Sequence, residues 1–165
     1  MKRAIVMVVA LLLTGSTALG IKVTLFSDTP RFAKIMKDVV IATCDRAHPE
    51  THYGDGLHPV EVTVQRVLKG TSAVGAMKIA TIYAMEPGKR YLLASLGGSV
   101  GGITFLAVPG LSVVEIPEGF DLSKLEGRTL EEQLQLILAA RKAAVEQEEQ
   151  ALKAEEALLE KAMQK

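Results

Sequence analysis

Three histidines lie close together in one polar stretch of the sequence, which makes this stretch the first candidate for metal chemistry. The residues that could serve as ligands are Cys44, Asp45, His48, His52, Asp55 and His58. Thiolate and imidazole are the ligands that zinc and copper prefer. No pair has a high-specificity spacing such as Cys-x-x-Cys. We therefore expect a surface loop without a metal or another cofactor. A periplasmic metal-binding protein that uses residues 44–58 is the alternative.

Cys44 is the single cysteine of the chain, so it cannot form an internal disulfide. It ends the apolar run Asp-Val-Val-Ile-Ala-Thr-Cys over residues 38–44. A cysteine in such a strand usually behaves as a small buried apolar residue, and we expect that here. An intermolecular disulfide or a free reactive thiol is the alternative.

Residues 69–72 read Lys-Gly-Thr-Ser and raise the question of a phosphate-binding loop. A Walker loop needs Gly, four residues, and then Gly-Lys-Ser/Thr before a helix. Gly70 and Gly75 have the right separation, but Ala76 and Met77 follow, and the pattern after them is that of a strand. We therefore expect no nucleotide site, and we assign these residues to the end of a strand.

Catalysis has little support in the sequence. Ser95 and Ser112 lack a motif such as Gly-x-Ser-x-Gly. Ser99 has these letters in Gly-Gly-Ser-Val-Gly over 97–101, but a nucleophile elbow must lead into a helix, and the pattern that follows is that of a strand. The Gly-Gly-Ser-Val-Gly-Gly run at 97–102 precedes a strand pattern, whereas a dinucleotide fingerprint must open a helix. We expect that the protein is not an enzyme and that it has no catalytic or cofactor-binding residues.

The first twenty residues have the layout of a secretory signal. Two basic residues at 2–3 precede an apolar run over 4–13, and the small residues Ala18 and Gly20 occupy the positions that a signal peptidase reads. The apolar run is shorter than the roughly 20 residues that span a bilayer. We expect residues 1–20 to be a signal peptide and the exported product, periplasmic or secreted, to be soluble with no membrane span.

The charge balance of the exported chain argues against nucleic acid as a partner. Lys2 and Arg3 belong to the signal, so 17 basic and 19 acidic residues remain. A chain this close to neutral has no long-range attraction for phosphate backbones. There is no Trp, with four Phe and three Tyr, so stacking platforms for single strands are not evident either.

Residues 21–127 have the short strands and glycine-rich turns of a small β-domain. Val60, Val62 and Val64 alternate with polar residues, which predicts one inward face. The alternation fails near Arg66, which predicts a bulge or a twist there. We expect a mainly β fold, a five-stranded OB-like barrel after a short N-terminal helix over 27–38. The expected strands are 38–44, 59–70, 76–85, a strand from Lys89 or Arg90 to residue 96, and 103–117, the last interrupted at Pro109-Gly110.

Residues 128–165 predict one long C-terminal helix. Thr129 and Glu132 form a capping box. The apolar face that follows, which should dock on the barrel, consists of Leu130, Leu134, Ile137 and Leu138.

The far part of the predicted helix leaves two interpretations open. Leu138, Val145, Leu152 and Leu159 recur every seventh residue, but the complementary row turns polar at Arg141 and Glu148. The helix could be a solvated, alanine-rich segment with charge pairs such as Glu149 with Lys153. It could also bind a partner or support weak self-association.

Several of these motifs together resemble a known family. The run over 38–44, Val-Glu-Val-Thr-Val-Gln-Arg-Val-Leu-Lys-Gly over 60–70 and Gly-Lys-Arg-Tyr-Leu-Leu over 88–93 resemble the bacterial exported relatives of the netrin-like domain. This domain is the OB-type barrel shared with tissue inhibitors of metalloproteinases. The resemblance covers residues 38–117 and implies the fold and a role in binding another protein or an envelope component outside the cytoplasm. The N-terminal cysteine and the disulfides of the animal inhibitors are missing, so their inhibitory mechanism does not carry over.

Overall fold

The computed structural model describes residues 29–51, 56–106 and 112–163, and the expected signal peptide over 1–20 lies outside these ranges. The described chain forms one β-sheet with a short and a long helix. The elements are α1 (Thr29–Ile35), β1 (Asp38–Ala47), β2 (His58–Lys69), β3 (Gly75–Thr81), β4 (Arg90–Ser95), β5 (Ser99–Val100), β6 (Ile103–Leu106), β7 (Val113–Ile116), the 3₁₀ helix η1 (Leu122–Leu125) and α2 (Leu130–Met163).

The strands form a single mixed sheet in the order β5-β6-β3-β2-β1-β4-β7. Strands β1, β2 and β3 follow one another as antiparallel neighbours, and β4 returns to pair with the other edge of β1. Strand β6 runs parallel to β3, whereas β5 and β7 pair antiparallel with β6 and β4. The mainly β class expected from the sequence is confirmed.

The expectation of a five-stranded OB-like barrel does not match the described sheet in strand number or closure. The described sheet has seven strands and is open, with β5 and β7 at its two edges. The expected fifth strand divides into β6 and β7, and these two pieces pair with β3 and β4 near opposite edges of the sheet. The glycine-rich run before them contributes the additional strand β5, which forms a hairpin with β6. The expected interruption at Pro109 lies outside the described residues.

The sheet is nevertheless strongly curled, and its inner face forms an apolar core. Leu93 on β4 and Leu106 on β6 belong to one buried cluster, although three strands lie between them in the sheet order. The three alternating valines of β2 lie in the same cluster, as their spacing predicted. A void of about 10 Å³ beside Val40 and Leu93 is no larger than a single water needs. This void therefore has no room for a small-molecule ligand.

The two helices cover the outer face of β1, β4 and β7. Phe32 of α1 and Leu134 and Ile137 of α2 are buried there in a second cluster with residues of these three strands. Strand β1 is therefore buried on both faces, which explains its continuous apolar run. The docking expected for Leu130–Leu138 is confirmed, because Leu134 and Ile137 are fully buried and Leu130 and Leu138 pack at the edge of the cluster.

Two local predictions are also confirmed. Ile41 pairs with Arg66 and the next residue, Ala42, pairs with Val64, so Gln65 is an extra residue in β2, beside the expected position. At the start of α2, the Thr129 N–H donates to Glu132 Oε2 at 2.8 Å, and the Glu132 N–H donates to Thr129 Oγ1 at 3.3 Å. These reciprocal hydrogen bonds are those of a capping box.

Candidate functional site

The structure buries one candidate metal ligand of β1 and exposes the next one along the chain. Cys44 is fully buried in the inner core, as predicted, whereas its neighbour Asp45 is exposed. The Asp45 carboxylate accepts a 2.8 Å hydrogen bond from the Thr63 hydroxyl on β2. Burial raises the pKa of the Cys44 thiol, and the Asp45 charge raises it further. The thiol is therefore kept protonated and away from the polar loop, which is unsuited to a metal ligand.

The described histidines have different surroundings. His48 Nδ1 lies 3.3 Å from Glu50 Oε1, and its Nε2 lies 4.0 Å from Glu61 Oε1. His58 is buried at the start of β2, where it pairs with Thr81 of β3. Over residues 29–51, 56–106 and 112–163, no three His, Cys, Asp or Glu side chains are grouped so that they could hold a metal ion. The other two candidates, at positions 52 and 55, lie outside the described residues.

The lysine of the apparent phosphate loop has a structural role. Lys69 Nζ donates a 2.8 Å hydrogen bond to the carbonyl of Ala33 in the last turn of α1. Carbonyls in this turn lack helical donors, so a lysine there satisfies them and complements the negative end of the helix dipole. The Thr71 N–H donates to Asp38 Oδ1 at 2.9 Å, and the Ser72 hydroxyl lies 3.3 Å from the same atom. These contacts tie the turn after β2 to α1 and β1.

Ser95, one of the three serines considered for catalysis, also takes part in a turn. Its hydroxyl oxygen accepts a 2.8 Å hydrogen bond from the Gly97 N–H directly after β4. Ser112 is buried immediately before β7, whereas Ser99 is exposed on the edge strand β5. The three serines therefore lie in different environments and do not form one nucleophilic centre.

A chain of ion pairs joins α2 to the sheet and was not anticipated from the sequence. Arg141 Nη2 lies 3.6 Å from Glu115 Oε2 on β7. Arg141 Nη1 lies 3.3 Å from Oε1 of Glu148, which is about two turns further along α2. Lys89 reaches the same Glu115 at 3.3 Å and Glu86 at 2.9 Å. Because the Arg141 side chain is only 11% exposed, this pair is shielded from solvent better than an ordinary surface pair.

The ion pairs lie in a cleft of about 600 Å³ between α2 and the ends of β4 and β7. Four of its lining charges pair with one another: Lys89, Glu115, Arg141 and Glu148. The hydrogen bond to Glu86 raises the pKa of Lys89, with a further contribution from Glu115. These ion pairs fix the helix against the sheet. Of the other two lining charges, Arg90 donates to the Phe120 carbonyl and Glu118 is exposed without an ion pair in the described chain. The sequence signal was Arg141 itself, the position at which the complementary heptad row turns from apolar to polar.

Beyond the cleft, α2 continues without support from the sheet. The helix has 34 residues, and its buried residues are Leu134, Ile137 and Val145. After Val145 its large apolar side chains become accessible to solvent: Leu158 is 67% exposed, Leu159 53% and Met163 75%. The Glu149–Lys153 pair of the solvated-helix interpretation does not form among the described residues. The described pair with four-residue spacing is Lys142–Glu146, at 3.9 Å. We call residues 146–163 the terminal segment.

Comparison with known proteins gives no family for this chain. No family model and no curated protein matches it. Among the described residues, no helix is both long and apolar enough to cross a membrane. The terminal segment of α2, held at its base by Arg141 and Glu115, is the surface that the described geometry singles out.

Proposed function

We propose that the protein is an exported, non-catalytic binding module of the netrin-like OB type, and that the terminal segment of α2 binds a protein or envelope component. Export is supported by the basic, apolar and small-residue pattern of residues 1–20. The netrin-like relationship is supported by the three motifs over 38–93 and by the strand order. A β1-β2-β3 meander, a return of β4 beside β1 and strong curling are features of a partly open Greek-key barrel.

One observation carries the binding role. Helix α2 completes its contacts with the core at Val145 and then extends for another 18 residues, with Leu158, Leu159 and Met163 accessible to solvent. A helix that is needed only to cover the sheet has no physical reason to continue so far. Short isolated helical segments are marginal in water unless an apolar face is packed. An amphipathic helix that lays its apolar face into a groove is a recurrent mode of protein recognition.

Substitutions in the full-length chain test this function. Leu152→Gln with Leu159→Gln removes apolar side chains from the terminal segment at nearly equal helix propensity. Ala154→Gln with Ala157→Gln places the same polar groups on the other side of the helix and is the matched control. We expect envelope proteins that are captured from the exporting cells by the wild-type chain to be captured by the control and lost from the leucine variant. Equal capture by all three chains, quantified by mass spectrometry, would exclude the terminal segment as the binding surface.

A further inference from the structure

The terminal segment has an apolar seam on one side. Val145, the last buried residue of α2, is followed at intervals of seven, seven and four by Leu152, Leu159 and Met163. Residues at these intervals lie above one another on the same side of a helix. Val145 is 7% exposed, whereas Leu159 is 53% and Met163 75% exposed. The seam therefore begins in the core of the protein and continues outward as an accessible apolar strip.

Glutamates border this seam on both sides. Glu148 and Glu155 follow Val145 and Leu152 by three residues, so they lie along one border. Glu149 and Glu156 follow the same two residues by four and lie along the other border. Residues 146–163 contain six Glu and two Lys, a net charge of −4. We call the two rows the acidic borders.

Most of these acidic groups form no ion pair in the described chain. Glu148 pairs with Arg141 and Glu146 with Lys142. Within the described chain, no ion pair joins the remaining four, which are Glu149, Glu155, Glu156 and Glu160. Glu156 and Glu160 are four residues apart, and like charges at this spacing destabilise a helix slightly. Four unpaired glutamates around an exposed seam are therefore a feature that a cationic partner would stabilise.

The borders also argue against pairing of the segment with a second copy. Because both sides of the seam are acidic, parallel and antiparallel helix pairs alike bring glutamates against glutamates. Charged positions beside the apolar rows of a coiled coil decide which partners pair. An anionic lipid surface is disfavoured for the same reason, since such surfaces attract basic segments. The occupant must supply positive charge on both sides of an apolar groove.

We infer that the terminal segment docks, as a helix, into an apolar groove of another protein whose two rims carry Lys or Arg. This inference rests on the proposed function and specifies the chemistry of the partner. Leu152, Leu159 and Met163 would fill the groove, and the acidic borders would meet its basic rims. Complementary charges of this kind contribute chiefly to specificity and to the rate of association.

A charge-reversed peptide provides a direct test with the full-length chain. The probe has the sequence of residues 142–163 with every Glu replaced by Lys and every Lys by Glu. Its apolar seam is therefore unchanged while its borders are basic. The matched control peptide keeps the native charges. We expect the chain to bind the reversed peptide with 1:1 stoichiometry and to bind the native peptide at least about tenfold more weakly, because only the reversed peptide complements the borders.

Salt and substitution complete the test, with binding followed by fluorescence anisotropy. Raising the salt shortens the screening length from about 10 Å at 0.1 M to about 3 Å at 1 M, so we expect the affinity for the reversed peptide to fall about tenfold or more. The Leu152→Gln, Leu159→Gln chain should lose binding. Equal binding of both peptides would overturn the inference and favour self-association. Binding that persists after the leucine substitutions would show that charge alone drives the interaction, without the apolar seam.

The two proposals fail in different ways. If the chain binds neither peptide while its capture of envelope proteins still depends on Leu152 and Leu159, the basic groove is wrong and the binding role of the terminal segment stands. If envelope capture does not depend on these leucines, the proposed function itself fails, whatever the peptides do.

Discussion

The guanidinium of Arg141 on α2 lies 3.6 Å from the carboxylate of Glu115 on β7, and this pair fixes the point at which the long helix leaves the sheet. Up to this pair, α2 is held by apolar contacts of Leu134 and Ile137 in the second buried cluster, on the outer face of β1, β4 and β7. Shortly after it, Val145 makes the last buried contact. The pair therefore marks the boundary between the part of α2 that stabilises the fold and the part that we propose binds a partner.

Removing the arginine should destabilise the protein. In Arg141→Met the aliphatic volume is largely retained, but Glu115 keeps only Lys89 as a cation and Glu148 loses its partner. We expect the free energy of unfolding to fall by about 1–3 kcal/mol, as measured by urea denaturation, because a shielded carboxylate is left poorly paired. Lys142→Met, which disrupts an exposed pair on the same helix, is the control and should change it by less than about 0.5 kcal/mol. Equal effects of the two substitutions would contradict a special role for Arg141.

Gly70 should not tolerate a side chain. Its φ is +100°, and a Cβ at this position would overlap the Asp38 carboxylate that receives the Thr71 N–H. We expect Gly70→Ala to destabilise the protein by about 1–3 kcal/mol, since both backbone strain and steric overlap oppose it. At Gly98 an added Cβ would contact nothing within 4 Å, and no positive φ is required there. Gly98→Ala should therefore be nearly neutral in the same thermal or urea denaturation, and a neutral Gly70→Ala would refute the argument.

The Cys44 thiol should be unreactive in the folded protein. It is fully buried, so a thiol reagent such as Ellman's reagent can react with it only after local or global unfolding. An opening free energy of at least about 5 kcal/mol slows the reaction by about 10³-fold or more relative to the unfolded chain in urea. Rapid stoichiometric labelling without denaturant would show that Cys44 is accessible after all.

The raised pKa of Cys44 also predicts a pH dependence. The folded state holds the thiol proton more tightly than the unfolded state, where a thiol titrates near about 8.5. Below that pH the stabilisation is fully present, and it is lost as the pH rises from there through the pKa of the folded state. We expect the stability of the wild-type chain to decrease in this range, and Cys44→Ala to decrease less steeply. Parallel curves for the two proteins would exclude Cys44 as the source.

Processing of the chain tests the proposed export. We expect the protein recovered from the periplasm or medium to begin at Ile21, as determined by intact mass spectrometry. Gly20→Leu places a large residue where the peptidase requires a small one and should block cleavage. Ser16→Leu lies further from the cleavage position and should leave cleavage intact. Recovery of the uncleaved wild-type chain from the same fractions would contradict the signal-peptide assignment.

Elements with strong internal periodicity could be predicted from the sequence. The alternation of Val60, Val62 and Val64 and the helical spacing of Leu130, Leu134 and Ile137 identified their buried faces correctly. In both cases the signal lies within the element itself, in its period of two or 3.6 residues.

Long-range pairing could not be predicted in the same way. The segment from Ile103 to Ile116 has the composition of one strand, but the choice of β3 as partner for one half and β4 for the other is made by the whole sheet. Likewise, the ion pair of Arg141 could not be predicted from its heptad row, because its partner, Glu115, belongs to a different element.

Because α2 is long and uninterrupted, a small rotation at its base produces a large displacement at its end. Its sequence contains neither Gly nor Pro, so it has no ready point at which to bend. Met163 lies 22 residues beyond Arg141, or about 33 Å along the axis, so a rotation of about 10° at the ion pair displaces the tip by about 6 Å. A substitution at Glu115, far from any partner, would thereby change the volume that the tip sweeps and the orientations in which it first meets another molecule.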